Sequence, residues 1–164
     1  TGDAGRMEGN TLFFTERIKD LYKTSNGKYI APQAIEMVMS GDQYIEQIAV
    51  IGDQRKFVSE LIVSAYPLLE KYAEEKGLAV GSREELVRNK EILRLIETHI
   101  EENQKNLASY EKIKRFTLLS EPFTMGSELT DTLKLRRSVI LKKYADPIEK
   151  MYEEASNMWG SNPV

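Results

Sequence analysis

The sequence predicts an α+β domain, in which small antiparallel or mixed sheets pack with helices. Three observations carry that expectation. Hairpin signals and helical segments follow one another without settling into repeated strand-helix-strand units. Apolar residues make up 41% and charged residues 30% of the 164, the balance of a globular chain. At this length a single domain buries roughly two-thirds of the surface it exposes when unfolded.

Residues 1–10 are polar, and Gly2, Gly5 and Gly9 predict a loop. Residues 11–14 form a short apolar run and residues 17–23 alternate loosely through Ile18, Leu21 and Tyr22, so two strands joined by a tight polar turn are expected. Thr24-Ser25-Asn26-Gly27 is strong turn chemistry, and Asn-Gly suits paired positive φ angles. Residues 28–30 should therefore return beside the preceding strand.

Pro32 suits a first helical turn, and Ile35, Val38 and Met39 keep helical spacing until Gly41, which predicts a helix over 32–40. Residues 45–52 and 56–66 are rich in β-branched and aromatic side chains and read as central strands around a turn at Gly52-Asp53-Gln54-Arg55. Pro67 opens a helix that runs to Lys76 and ends at Gly77, and Ser82-Arg83-Glu84-Glu85 has the capping-box pattern. The helical stretch that follows extends to about Leu107, with a break at Asn89.

Leu86, Leu93, Ile100 and Leu107 stand at heptad spacing, which fits a coiled coil or a helix lying on the domain's own sheet. Only about three heptads are present, so the second arrangement is predicted. Residues 111–119 read as a strand, residues around Pro122 and Gly126 as a loop, 137–158 as one amphipathic helix, and 159–164 as a loose tail.

Composition also excludes chemistry. There is no cysteine, so disulfides and thiol nucleophiles are ruled out, which favours a reducing compartment. His99 is the single histidine and is expected to be a surface or boundary residue on its helix rather than a catalyst. A net charge of -3 argues against nucleic acid as a partner. No apolar run reaches the roughly 20 residues that span a bilayer. The chain opens on Thr1 without an initiator methionine, as a processed product or a piece cut from a longer polypeptide would.

Three segments carry functional signals beside ordinary structural ones. Thr1-Gly2-Asp3 is either a turn or a place where an Asp carboxylate grips a vicinal diol such as ribose. Arg17-Ile18-Lys19-Asp20-Leu21-Tyr22-Lys23, with Gly27-Lys28-Tyr29-Ile30-Ala31-Pro32 and Ile35-Glu36, is either a strand with one solvated face or a motif. Glu128-Leu129-Thr130-Asp131-Thr132-Leu133-Lys134-Leu135-Arg136-Arg137 is either a basic stripe or a device that packs a lysine stem and projects its ammonium toward phosphate.

In this order and at this separation, the segments resemble the AMP-forming adenylating enzymes, the superfamily of acyl-CoA synthetases and firefly luciferase. Thr1-Gly2-Asp3 is similar to the motif closing their large N-terminal domain, Arg17-Ile18-Lys19-Asp20 to their hinge, and Thr132-Leu133-Lys134-Leu135-Arg136-Arg137 to their C-terminal lysine motif. Phe116-Thr117-Leu118-Leu119, Glu121-Pro122-Phe123-Thr124 and Tyr29-Ile30-Ala31-Pro32 resemble the long-chain branch. Glu16 stands where many members have Gly, Asp131 where Pro is common, and Met125-Gly126-Ser127 replaces the usual Glu-Asn-Gly turn.

The resemblance implies residues 1–18 as the end of the N-terminal domain and the approach to the hinge, 19–158 as the mobile C-terminal lid, and 159–164 as a tail. It implies a cytoplasmic parent enzyme, with peripheral membrane contact, that uses ATP, Mg2+ and coenzyme A to activate a fatty acid. The phosphate loop and acyl pocket would lie in the N-terminal domain, the lid's partner, so the fragment alone would be inactive. By the same resemblance Lys134 is the catalytic residue, Asp3 and Arg17 bind the nucleotide, Lys19 is the hinge, and Gly27 and Lys23 serve the coenzyme A side; no metal ligand is expected here. Two alternatives stand beside this reading. One is a stand-alone interaction domain that uses the 82–107 helix face; the other is a fatty acyl-AMP ligase that loads a carrier protein.

Overall fold

The computed structural model describes the backbone of residues 3–8, 11–17 and 21–160 and the side chains of residues 21–153. Strand β1 (Asp3–Glu8) pairs antiparallel with β2 (Thr11–Arg17). The loop expected from the early glycines is not formed at Gly5, which sits within β1, with the register shift lying between Asp3 and Gly5; Gly2 and Gly9 lie outside the described residues. The first apolar run likewise continues through Arg17 as one strand, and residues 18–20 lie outside the described residues.

A second hairpin joins β3 (Tyr22–Lys23) to β4 (Tyr29–Ile30). The Thr24 N–H donates to Lys28 O at 2.8 Å and the Gly27 N–H to Thr24 O at 2.9 Å. Gly27 alone in this turn has a positive φ, +83°, so the paired positive angles expected of Asn26-Gly27 are not formed. The buried Thr24 hydroxyl closes the loop instead, accepting from the Lys28 N–H at 3.2 Å.

Helix α1 (Pro32–Ser40) leads into the main sheet, whose order is β5 (Ile45–Ile51), β6 (Val58–Ser64), β7 (Ile113–Leu119). β5 and β6 are antiparallel, whereas β6 and β7 are parallel, so the sheet is mixed as predicted. Every residue of the central strand β6 is buried. Ser59 Oγ lies 2.9 Å from the Tyr152 hydroxyl of the last helix. Alternation along a strand therefore turns Ser59, Leu61 and Val63 toward that helix and Glu60 and Ile62 to the opposite face.

Parallel strands need a long crossover, and α2 (Tyr66–Glu75), α3 (Arg83–Arg88) and α4 (Lys90–Asn103) supply it. Ser82 caps α3 as the sequence predicts, accepting the Glu85 N–H at 3.2 Å, while the Glu85 carboxylate accepts the Gly81 N–H at 2.7 Å. Asn89 ends α3 and caps α4, so the expected break is present. α4 buries Ile92, Ile96 and Ile100 in the domain's own core, and it ends before Leu107. A 3-10 turn (Ser109–Glu111) then feeds β7.

The expected single helix over 137–158 is two, α5 (Arg137–Lys143) and α6 (Ala145–Gly160). Pro147 accounts for the break, because it has no N–H for the Lys143 carbonyl and its ring would clash there. The helix also carries Trp159 and Gly160, placed in the tail by the sequence reading; residues 161–164 lie outside the described residues.

Candidate functional site

The segment before α5 is held from several sides. Gln47 of β5 binds both backbone groups of the buried Phe123, accepting its N–H at 2.7 Å and donating to its carbonyl at 3.3 Å. Gly126, at φ +84°, turns the chain, and its N–H donates to Leu129 O at 2.9 Å. Glu128 is fully buried; its carboxylate accepts the Tyr144 hydroxyl at 3.0 Å and lies 3.2 Å from the Lys143 ammonium. Burial pushes the Glu128 carboxyl up, but the Ser127 and Tyr144 hydroxyls and Lys143 together hold it below the usual range.

Upon this base stands a short hairpin that presents Lys134. Leu129 bridges Leu135 in antiparallel fashion, and the Arg136 N–H donates to Glu128 O at 2.7 Å. At the turn the Thr130 N–H donates to Lys134 O at 2.9 Å, and the Lys134 N–H donates to the Thr130 hydroxyl at 3.1 Å. Leu133 sits in the left-handed region at φ +62°, unusual for a branched side chain. Lys134 is exposed, and among the described residues its ammonium has no hydrogen bond or ion pair. The backbone is thus fixed by two hydrogen bonds while the charge is left available.

Arg136 and Arg137 steady the hairpin differently. Arg136 is exposed and donates to the Ser127 carbonyl at 3.2 Å. Arg137 makes a two-pronged pair with Glu36 of α1, at 2.9 and 2.8 Å, and reaches the Tyr22 hydroxyl at 3.4 Å. Burial opposes the Arg137 charge, but the Glu36 carboxylate more than offsets this and holds the guanidinium above its usual pKa. Burial likewise raises the Tyr22 phenol, against the Arg137 charge.

Of the two residues expected on the coenzyme A side, Gly27 is exposed at its turn, and a Cβ built there would meet no atom within 4 Å. Lys23 is exposed beside it, its ammonium 5.6 Å from the Tyr29 ring centroid. Asp3 and Arg17 face each other in register across β1 and β2, which brings the two expected nucleotide-binding positions together at the backbone level; their side chains and Lys19 lie outside the described residues. Among the described residues no three carboxylate or imidazole groups could share a metal ion.

His99 is half-buried, as a boundary residue should be, with Nδ1 2.7 Å from the Asp42 carboxylate. Sequence reasoning missed Tyr22, Glu128 and Tyr144, whose partners are distant in the chain. A charged residue fully buried at position 128 has no local signal except its place in the motif.

The family model described as AMP-binding enzyme C-terminal domain matches residues 19–156. The chain belongs to this family. Long-chain-fatty-acid--CoA ligase 5 of Mus musculus is 34% identical to this AMP-binding enzyme C-terminal domain over 158 residues, covering 93% of the chain and 23% of the ligase. Long chain acyl-CoA synthetase 6, peroxisomal, of Arabidopsis thaliana is 31% identical over 159 residues, covering 94% and 23%. The chain therefore spans about a quarter of the length of the curated relatives it matches.

Among solved structures, the adenylation domain of a carboxylate reductase from Mycobacterium chelonae aligns with a TM-score of 0.75 at 26% identity, covering 93% of this chain and 23% of that one. The A domain of carboxylic acid reductase from Segniliparus rugosus, in complex with AMP and a co-purified carboxylic acid, shares the fold with a TM-score of 0.74 at 22% identity, covering 94% and 23%.

Proposed function

We propose that this chain is the mobile C-terminal domain of a long-chain fatty acid-CoA ligase, acting with an N-terminal domain of the same polypeptide. One observation carries the reading: an exposed Lys134, with no ion pair among the described residues, stands beside the turn of a hairpin whose backbone is fixed on both sides, in a domain whose sequence relatives are named as such ligases.

In the first half-reaction a fatty carboxylate attacks the α-phosphate of ATP, giving acyl-adenylate and pyrophosphate. Lys134 lies between two anions that repel each other and offsets charge that builds in the transition state. A unit charge pair at about 4 Å and an effective dielectric near 20 interacts by about 4 kcal/mol, equivalent to about three decades of rate if expressed only in the transition state. Asp3 accepts hydrogen bonds from the ribose hydroxyls, and Arg17, opposite it in register, supports the same sugar. Magnesium, by the same resemblance, accompanies ATP at the N-terminal domain.

In the second half-reaction the coenzyme A thiol displaces AMP. Rotation about Lys19 withdraws Lys134 and brings the β3–β4 turn to the site. There Gly27, with no side chain and open space where one would be, lets the pantetheine arm pass close to backbone, while Lys23 offers a cation to its phosphates.

The test joins the domain to its N-terminal partner and measures each half separately. Lys134→Ala lowers adenylate formation by about a thousandfold and spares thioester formation from supplied acyl-adenylate. Wild-type pyrophosphate exchange in that variant contradicts the assignment. Thioester formed with a carrier protein but not with free coenzyme A would favour the carrier-loading alternative.

A further inference from the structure

We propose that Arg137, Glu36 and Tyr22 are positioning residues for both half-reactions: their clamp fixes the Lys134 hairpin and the Gly27 turn to one rigid piece. The inference rests on the function proposed above. Arg137 begins α5 directly after the Lys134 hairpin, and Tyr22 opens the hairpin that Gly27 turns. The two surfaces that serve different half-reactions are thus joined through a single guanidinium, which touches Glu36 at 2.8 and 2.9 Å and Tyr22 at 3.4 Å.

The clamp is seated on the main sheet. β5 is an outer strand, and Val50 on it would otherwise present an unpaired N–H and C=O at the edge. The Glu36 carboxylate accepts that N–H at 2.8 Å, and the Tyr22 hydroxyl donates to that carbonyl at 3.2 Å. Both Glu36 and Tyr22 therefore register against one backbone residue, and Arg137 locks them together. The side chains are largely withdrawn from water, at 12% exposed for Glu36 and 25% for Arg137. Two-pronged guanidinium-carboxylate geometry fixes angle as well as distance, which lysine cannot reproduce.

A lid that serves two steps in turn needs this rigidity. Each loop has to arrive at the same reacting centre after a rotation, and a misplacement of about 1 Å can cost about a hundredfold in rate. Loosening the clamp therefore acts on both steps, whereas loss of Lys134 acts on one.

The experiment uses the full-length enzyme that carries this domain, with Arg137→Lys and Glu36→Gln. Single-turnover rate constants are measured per active site for adenylate formation from ATP and a long-chain fatty acid, and for thioester formation from supplied acyl-adenylate and coenzyme A. The burst amplitude gives the fraction of active sites. Both variants are expected to slow both steps by about ten- to a hundredfold at near-native amplitude, with KM for ATP and coenzyme A changed by less than about threefold.

A merely structural pair would lower the amplitude and leave the rate constants at wild type, which overturns the proposal. Loss confined to one step also overturns it. If either variant is recovered poorly, Tyr22→Phe removes only the hydroxyl, and with it the bond donated to Val50 and the one accepted from Arg137, and is expected to slow both steps by at least about three- to tenfold; wild-type rates there overturn the clamp. Lys134→Ala in the same assay separates the two readings, since unaltered adenylation in that variant defeats the functional assignment, whereas normal clamp variants beside a disabled Lys134→Ala defeat the clamp alone.

Discussion

Replacing Glu60 by leucine should stabilise the domain, and should do so more as the pH rises. Glu60 lies at the middle of the central strand with no exposed surface, and neither carboxyl oxygen has a hydrogen-bond partner. Burial, with the Glu36 charge adding to it, pushes its pKa from 4.5 up to about 8. A carboxyl raised on folding holds its proton longer in the native state than in the unfolded state, so stability falls as pH rises from the unfolded pKa to the folded one. At 1.36 kcal/mol per unit, the loss reaches about 3 kcal/mol by pH 7 and about 5 kcal/mol above pH 8. Leucine fills similar volume without a titrating group. Urea unfolding at pH 5, 6, 7 and 8 should show a falling native stability and a flatter Glu60→Leu curve, the gap widening to about 3 kcal/mol at pH 7. Parallel curves for the two proteins across that range would refute the reasoning.

Three further outcomes follow from the same geometry. Gly27→Ala should lower stability by about 1–2 kcal/mol in thermal unfolding, because φ is +83° there while the space is open, so the cost is backbone strain alone. Tyr144→Phe takes a hydrogen bond from the buried Glu128 carboxylate and should cost about 1–3 kcal/mol in denaturant unfolding, with an extra loss of adenylation as the Lys134 hairpin loosens. Asp42 is held below its ordinary 3.8: burial raises it, but the Tyr44 N–H, Asn103 and His99 together outweigh burial. Its contribution is present above that pH and lost as pH falls through the lower folded value. Asp42→Asn should therefore flatten the acid limb of a stability-pH curve below about pH 4, and an unchanged limb would count against the hydrogen bonds from Tyr44, Asn103 and His99 holding Asp42 ionised.

The α+β architecture was legible because its signals are local. Pro32 and Gly41 bracket α1, Ser82 and Asn89 cap their helices, and β-branched runs became β5 and β6. The misreadings have local causes too. Gly5 looked like loop chemistry, yet a two-stranded pairing accommodates it beside a register shift. The amphipathic pattern over 137–158 continues through the α5–α6 break, and only the missing N–H of Pro147 marks the interruption.

The candidate site divides in the same way. Lys134 and Gly27 are visible as motif positions, since an exposed lysine and a glycine turn are legible from their own stretch of sequence. The groups that hold them are not, because Arg137 meets Glu36 and Tyr22 from distant parts of the chain, and Glu128 meets Tyr144 only once the α5–α6 break is made. Residue identity shows that an ion pair is available at these positions, but not which partners close it.

The division of labour proposed for this domain can be tested with one pair of variants in the complete enzyme. Single-turnover constants for adenylation and for thioester formation are compared in Lys134→Ala and Lys19→Pro. The account predicts opposite losses: adenylation falls by about a thousandfold in the first with thioester formation spared, and thioester formation falls further than adenylation in the second. Equal loss of both steps in each variant would contradict a domain that turns about Lys19 to present Lys134 and the Gly27 turn in succession.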